Sequence, residues 1–505
     1  MASEPQWVGG QMATGAAWTV LFRIVDRSLS LVSTVILARL LVPADFGLIA
    51  MAMSVIAILE LLGAFGLDTA LIQRSDVGRE HYDTLWTFNA LFGLGTALLL
   101  VCLASPTAWL YHDPRLVPVM LVLALARAIQ GFENPGVVSF RKDMLFDQEF
   151  KYLLAKRVAT TALVTIPLAF VLQSYWALLV GTLAGTCIAV ALSYALHPYR
   201  PRPSLKVLGQ LMAFSKWLFL TSFLEFLYGR MADLIVGRWA GADALGSLTM
   251  AREVARVPTR ELAMSVNRAV FPGYVKLAAD RALLRRGYLR VTSVLLLVVV
   301  PAGIGLSLIA EPLVLILLGE KWMQVAPLIK ILSLNGVLAV LLSTAHHVNL
   351  AVGMSRSSSL VLAVHSGITI PLMLWWVPSY GSQGAVVAML AASVVTAPLN
   401  FYLLGKAIEF GRRELVGFLW RPGAGSLVMI GAVVAIQGYW PVPSSLLGQI
   451  AYVAFVSFCG ALVYAASVFS LWRLRSDPGS AEVWILDRAV KLAQAVGQRV
   501  GVPFR

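Results

Sequence analysis

WTVLFRIVDRSLSLVSTVILARLLVPADFGLIAMAMSV, residues 18–55, reads as a long apolar helix carrying Arg23, Asp26 and Arg27, a short turn around Pro43 and Gly47, and the start of a second apolar helix. Shifted by 199 positions, much of it returns as WLFLTSFLEFLYGRMADLIVGRWAGADALGSLTMAREV, residues 217–254. Trp18 falls over Trp217, Ile36 over Ile235, Arg39 over Arg238, Gly47 over Gly246 and Met51 over Met250, and the acid is kept in kind as Asp26 over Glu225. Further on, the TIPL of Thr165 to Leu168 recurs at Thr369 to Leu372. Internal duplication of apolar helices is a transporter signature.

A 505-residue chain with 59% hydrophobic and 13% charged residues has too much apolar surface for a water-soluble core. Lipid is its solvent. About fourteen apolar spans of membrane length can be placed, the eighth at residues 247–270 despite Arg252, Glu253, Arg256, Pro258, Arg260 and Glu261. Of the 40 Lys and Arg, 28 then fall in connections and span edges on the side of the N terminus, 4 on the far side, and the remaining 8 inside spans. The asymmetry predicts that both termini are cytoplasmic. The net charge of +14 thus reports topology and contact with anionic headgroups, with no nucleic acid implied. The opening MASEPQWVGGQMATG has no basic residue and is not expected to be a removable signal peptide.

Six spans separate the two copies, an even number, so both run in the same direction as parallel repeats. The expected organisation is an all-α integral membrane protein. It has an N-terminal segment 1–15, a first six-helix lobe 16–206, a second 207–410, two appended spans in 411–472 and an amphipathic tail 473–505. The segments FRKDMLFDQEFKYLLAKR (140–157) and AEVWILDRAVKLAQAV (481–496) read as amphipathic helices at the inner surface. Since one chain supplies both lobes, a monomer is expected.

No GxxxxGK[ST], HExxH or GxSxG is present, so neither nucleotide hydrolysis nor hydrolase chemistry is indicated, and no cofactor or metal is expected. His346 and His347 are adjacent and point to different helix faces, which suits packing or a polar cavity, with a proton-linked role as the other reading. Cys102, Cys187 and Cys459 lie in separate apolar stretches and read as buried, unpaired packing residues.

Charges inside spans are the informative residues, because each costs on the order of 2.5 to 3.5 kcal/mol on insertion scales unless paired or wet. Arg23 and Arg27 share a face of span 1, with Asp26 able to pair with Arg23. Arg252, Arg256 and Arg260 follow each other every four residues, a basic ladder on span 8. Arg127, Arg230, Glu225, Asp233, Glu133, Lys330 and Glu60 complete the set, Glu60 with no partner evident in sequence. Guanidinium forks bind phosphate bidentately and stay charged, so Arg23, Arg27, Arg127, Arg230, Arg252, Arg256 and Arg260 are candidates for holding a pyrophosphate-like headgroup. The alternative is that they pair with nearby acids to lock helices together. Asp26, Glu60, Glu225 and Asp233 are candidates for a coupling proton or sodium ion.

The segments LARLLVPADFGLIAMA (37–52), GAFGLDTALIQR (63–74), TLWTFNALFG (84–93), ADLIVGRWAGADALG (232–246), RVPTRELAMSVNRAVFP (256–272), LIAEPLVLILLGEKWMQVAPLIKIL (308–332) and AVGMSR (351–356) resemble the polysaccharide transporter family. These are Wzx-type oligosaccharide flippases similar to colanic-acid and lipopolysaccharide exporters, within the MOP superfamily that also holds MATE drug exporters and lipid II flippases. The resemblance implies a V-shaped MATE-like bundle of two lobes around a central cavity. It also implies movement of undecaprenyl-pyrophosphate-linked oligosaccharide across a bacterial inner membrane, with a polysaccharide polymerase and chain-length machinery as partners. A MATE-like drug exporter and a membrane-embedded polymerase or ligase are the competing functions. The first favours an acidic cavity, and the second needs a catalytic surface that the short external connections do not provide.

Overall fold

The computed structural model describes residues 4–63, 71, 77–143, 145–209 and 216–474, and among them every regular element is helical. In chain order these are α1 (Glu4–Leu40), α2 (Pro43–Leu62), α3 (Arg79–Tyr111), α4 (Leu116–Gln130), the short α5 (Val137–Lys142), α6 (Phe146–Leu172), α7 (Trp176–Leu196) and α8 (Lys216–Arg256). They continue as α9 (Arg260–Leu277), α10 (Arg281–Leu308), α11 (Ala310–Leu317), α12 (Ala326–Ala351), α13 (Ser355–Ile408), α14 (Arg412–Tyr439) and α15 (Leu446–Leu474). Nine helices among the described residues are long and apolar enough to cross a membrane, so this is a multi-pass membrane protein. Large apolar side chains such as Leu98, Leu163, Val171, Trp375 and Leu427 lie on the outside of these helices, where hydrocarbon is the matching solvent. Cys102 and Cys187 are exposed there too, so they are not the buried packing residues that the sequence suggested.

The chain packs as two compact units, residues 1–249 and 250–505. In the first, α1 and α2 are joined by a two-residue turn that Asp45 closes. Its Oδ2 accepts from the Val42 amide at 3.1 Å, and its Oδ1 accepts from the Tyr175 amide at 3.2 Å. Pro43 opens α2, where its missing N–H is no loss. The α8 helix bends at Gly241, whose φ of 81° and ψ of −179° suit only a residue without a Cβ. The two turns meet reciprocally: a Cβ on Gly47 would lie 1.7 Å from the Ala242 carbonyl oxygen, and one on Gly246 1.8 Å from that of Pro43. Since 47 pairs with 246 and 43 with 242 under the sequence repeat, the duplicated turns seat on each other backbone to backbone.

The α6 helix runs unbroken from Phe146, so the expected surface helix over 140–157 is in fact the short α5 and the first half of a 27-residue span. Within it, residues 159–165 widen to a π-helix, and Gly181 and Gly185 of α7 sit against Thr165 and Thr160 there. Small residues of this kind let membrane helices approach closely. The connection after α7 is pinned to the start of α3 by the buried Asp83. One of its oxygens accepts from the Tyr199 hydroxyl at 2.6 Å and the Arg202 amide at 2.7 Å, and Arg79 stands 3.7 Å from the other. Burial first, then the bond to Asp83, pushes the Tyr199 phenol well above its usual range, so it acts as a donor. Burial first and then Arg200 hold His197 below the usual imidazole range. A neutral ring is what its contacts require, since Nδ1 accepts from the Tyr199 amide at 3.1 Å.

In the second unit, α9, α10, α12, α13 and α14 share a core that includes Tyr274, Tyr288, Leu296, Ala345, Leu404 and Phe418. The α13 helix is two arms joined at Gly381, while α14 and α15 pack through Met429, Tyr452, Val456 and Tyr464. The long connection after α10 folds into α11 and a 3₁₀ turn, Glu320–Val325, that buries Trp322. The amphipathic tail expected over 481–496 lies outside the described residues.

Candidate functional site

Several charges on the spans of the first unit are held in pairs, most of them between helices. Asp26 of α1 stands 3.2 Å from Arg157 of α6, and beside it Trp18 packs on Phe150 with ring centroids 5.0 Å apart. The carboxylate that sequence spacing paired with Arg23 is thus engaged by another helix. The Arg23 and Glu225 side chains lie outside the described ones. Arg27 is half-buried on the same helix.

Glu60, for which the sequence offered no partner, is bound by Arg127 of α4, which also donates to Gln130 at 2.7 Å. Two candidates assigned to different roles are therefore one ion pair joining α2 and α4. Glu133 accepts from the Tyr152 hydroxyl and lies 3.9 Å from Lys156, a second carboxylate tied to α6. Asp233 is 4% exposed on the first arm of α8, 3.5 Å from the exposed Arg230. Nearby, Ser54 of α2 and Tyr111 of α3 share a hydrogen bond at 3.0 Å, and Tyr111 backs the close approach at Gly237.

The basic ladder expected on span 8 is not one helix. The second arm of α8 ends at Arg256, and α9 begins at Arg260. Pro258 lacks the N–H that would continue the ladder, and Thr259 sits at φ −115°, ψ −75°. Arg252 and Arg256 stay on one helix one turn apart, while the exposed Arg260 belongs to the next. Arg256 pairs across the break with Glu261 at 3.6 Å. Lys330 of α12 is paired with Glu311 of α11 at 2.5 Å.

His346 and His347 stack edge to face at 5.7 Å, and His347 Nδ1 lies 2.7 Å from the Ser343 carbonyl. Among the described residues no group of three or more His, Cys, Asp or Glu could hold a metal ion. What sequence reasoning missed are the cross-helix partners Arg157, Tyr152 and Lys156, and a polar chain through His365. The only signal for the first three was a cluster of polar residues at the start of α6.

Because Glu60 and Arg127 sit on different helices, a charge swap separates their roles. Glu60→Arg and Arg127→Glu should each lower the yield of folded, detergent-extracted protein several-fold, and the double swap should restore it. Yields that the swap does not restore would show that the pair does not join α2 to α4.

The fold these helices build is similar to that of two solved membrane protein structures. A structure of the lipid II flippase MurJ in an inward closed conformation matches with a TM-score of 0.71 at 15% identity, covering 90% of this chain and 99% of that one. A MATE family multidrug resistance transporter of the MOP superfamily, in its inward-facing conformation, matches with a TM-score of 0.57 at 14% identity over 76% of this chain and 96% of that one. Residues 36–327 match the family described as polysaccharide biosynthesis protein, and the chain belongs to that family. Among relatives, the lipopolysaccharide biosynthesis protein WzxC of Escherichia coli (strain K12) is 24% identical over 81% of this chain and 84% of its own length.

Proposed function

We propose that this protein is a flippase that moves lipid-linked oligosaccharide across the membrane for surface polysaccharide synthesis. The observation that carries the reading is the meeting, in one chain, of the polysaccharide biosynthesis family with the fold of a lipid II flippase. The protein carries its substrate and converts nothing. A hydrated sugar and pyrophosphate cannot cross hydrocarbon, since desolvating a single ion costs several kcal/mol even after relaxation. A wet path lined by arginine removes most of that barrier while the prenyl tail stays in lipid.

In this reading Arg23, Arg27, Arg230, Arg252, Arg256 and Arg260, together with Arg127 where it is not committed to Glu60, supply the headgroup path. Asp26, Glu60, Glu225 and Asp233 remain the first unit's candidates for an ion, and the pairing of Asp26, Glu60 and Asp233 with arginines weighs toward a structural part for those three. Fourteen crossings in two six-helix lobes plus two, both termini in the cytoplasm of a bacterial inner membrane, and a monomer working beside a polymerase and chain-length proteins complete the proposal. The basic connections at Arg141 and Arg281 support that orientation.

Cells lacking the protein should lose surface polysaccharide and accumulate lipid-linked repeat units on the cytoplasmic leaflet. In complemented cells, reporters fused after Arg141 and Arg281 should read cytoplasmic. Unchanged surface polysaccharide in the deleted strain would refute the function, and a periplasmic signal at Arg281 would refute the topology.

A further inference from the structure

Several cations at helix ends and in connections are answered by carboxylates. Arg141 pairs with Glu149, Lys151 with Asp147 and Lys206 with Glu80. The start of α10, RALLRRGYLR (281–290), differs. Arg285 donates to the Glu409 carbonyl at 3.1 Å and stands 3.5 Å from Glu414. Asp280 caps the helix, its Oδ1 accepting from the Ala282 and Leu283 amides. Among the described residues, Arg281, Arg286 and Arg290 meet no carboxylate. Arg286 reaches only the Ala282 carbonyl of its own helix, at 3.5 Å.

Arg286 and Arg290 are exposed and one turn apart, and the next positions in that row are Val294, partly buried, and Val298, 50% exposed. The row changes character where the helix does, since residues 291–308 carry no charge. Arg290 therefore stands at the edge of the hydrocarbon, with Arg286 roughly 6 Å outside it. The polar layer of a bilayer extends roughly 5–7 Å beyond the hydrocarbon on each side, so both guanidinium groups lie at the depth of lipid phosphates. Helix side chains lean toward the N terminus. That is the polar end of α10, so Arg290 snorkels toward the level of Arg286.

We propose that this row binds an anionic phospholipid, with Arg286 and Arg290 on its phosphate and Val294 and Val298 along its acyl chain. Guanidinium forks take phosphate oxygens bidentately and stay charged, and a negatively charged leaflet attracts basic residues at its surface. The order of the row, two cations and then two apolar side chains, is the order of the lipid. The row presents no hydroxyl, amide or aromatic ring to read a sugar, so its occupant is a phospholipid and not a lipid-linked oligosaccharide. The bound lipid fixes the depth of α10, against which α12 and α14 pack. Placement in the inner leaflet rests on the proposed topology; the binding does not depend on what the protein moves.

The test titrates the full chain, in zwitterionic micelles, with phosphatidylglycerol or phosphatidylcholine and counts bound lipid by native mass spectrometry. Phosphatidylglycerol should bind more tightly, and its advantage should shrink as salt rises. Arg286→Gln and Arg290→Gln should each weaken it about fivefold, the worth of one basic residue at a charged surface, while Arg286→Lys with Arg290→Lys should keep most of the preference. Arg281→Gln removes the same charge from the same helix, roughly 14 Å outside the apolar stretch, and should bind as the wild type does. Phosphatidylcholine bound as tightly by the wild type, a salt-insensitive preference, undiminished binding in the double Gln variant, or an equal loss in Arg281→Gln overturns the proposal. Displacement of phosphatidylglycerol by undecaprenyl-pyrophosphate-linked oligosaccharide at equal mole fraction would assign the row to the carried lipid and overturn it as well.

Discussion

Gly47→Leu should lower the unfolding temperature of the purified protein by roughly 5–10 °C, and Gly246→Leu should do the same. A side chain at either position meets backbone, the Ala242 carbonyl in one case and the Pro43 carbonyl in the other, at less than 2 Å. No rotamer relieves such a contact, so the two helix starts must separate, at a cost of about 3 kcal/mol or more. Since both substitutions separate the same two turns, the double variant should lose much less than the sum of the singles. Gly95→Ala, with nothing within 4 Å of the new Cβ, serves as the control and should cost nothing. Additive losses in the double variant, or wild-type stability in the singles, would show that the duplicated turns do not seat on each other as described.

The second large effect is expected at Asp83. Alanine there leaves the partly buried Arg202 amide with no acceptor and the Tyr199 hydroxyl with only the Arg79 carbonyl at 3.4 Å, and an unsatisfied group of this kind costs about 1–3 kcal/mol. Apart from the 3.7 Å pair with Arg79 on α3, the lost contacts belong to the connection after α7, so the cost falls on local opening rather than on the whole molecule. Trypsin should cleave after Lys206, in the same connection, at least tenfold faster in Asp83→Ala. Asp83→Asn, which keeps an acceptor, should fall between that variant and the wild type. Equal protection in all three would mean that Asp83 does not hold the connection.

The repeat made the first unit's architecture legible because it matched residues for which backbone geometry has few substitutes. Gly47 over Gly246 marked the two turns that meet, and Trp18 over Trp217 aligned the helices leading to them. Proline was a weaker guide. Pro106, Pro301, Pro371 and Pro398 all sit inside continuous helices, whereas Pro258 falls in the break that splits the arginine ladder, and nothing local to the sequence distinguishes these cases.

Site residues were legible as charges in apolar helices and illegible as partners. Asp26 had an arginine three residues away, and the partner the structure places on it is Arg157 of α6. Glu60 had none nearby and is bound by Arg127. Partner choice depends on which helix faces meet, and a single sequence does not encode that in any spacing.

The central claim is that this chain relocates a lipid-linked oligosaccharide without altering it. The direct measurement reconstitutes the purified protein in vesicles with fluorescent undecaprenyl-pyrophosphate-linked oligosaccharide on one leaflet, then reads its leaflet by an impermeant quencher and its mass by spectrometry. The account predicts that the label reaches the other leaflet faster than in protein-free vesicles and that its mass is unchanged. Label that stays in its original leaflet with active, folded protein present, or a change in mass, would contradict it.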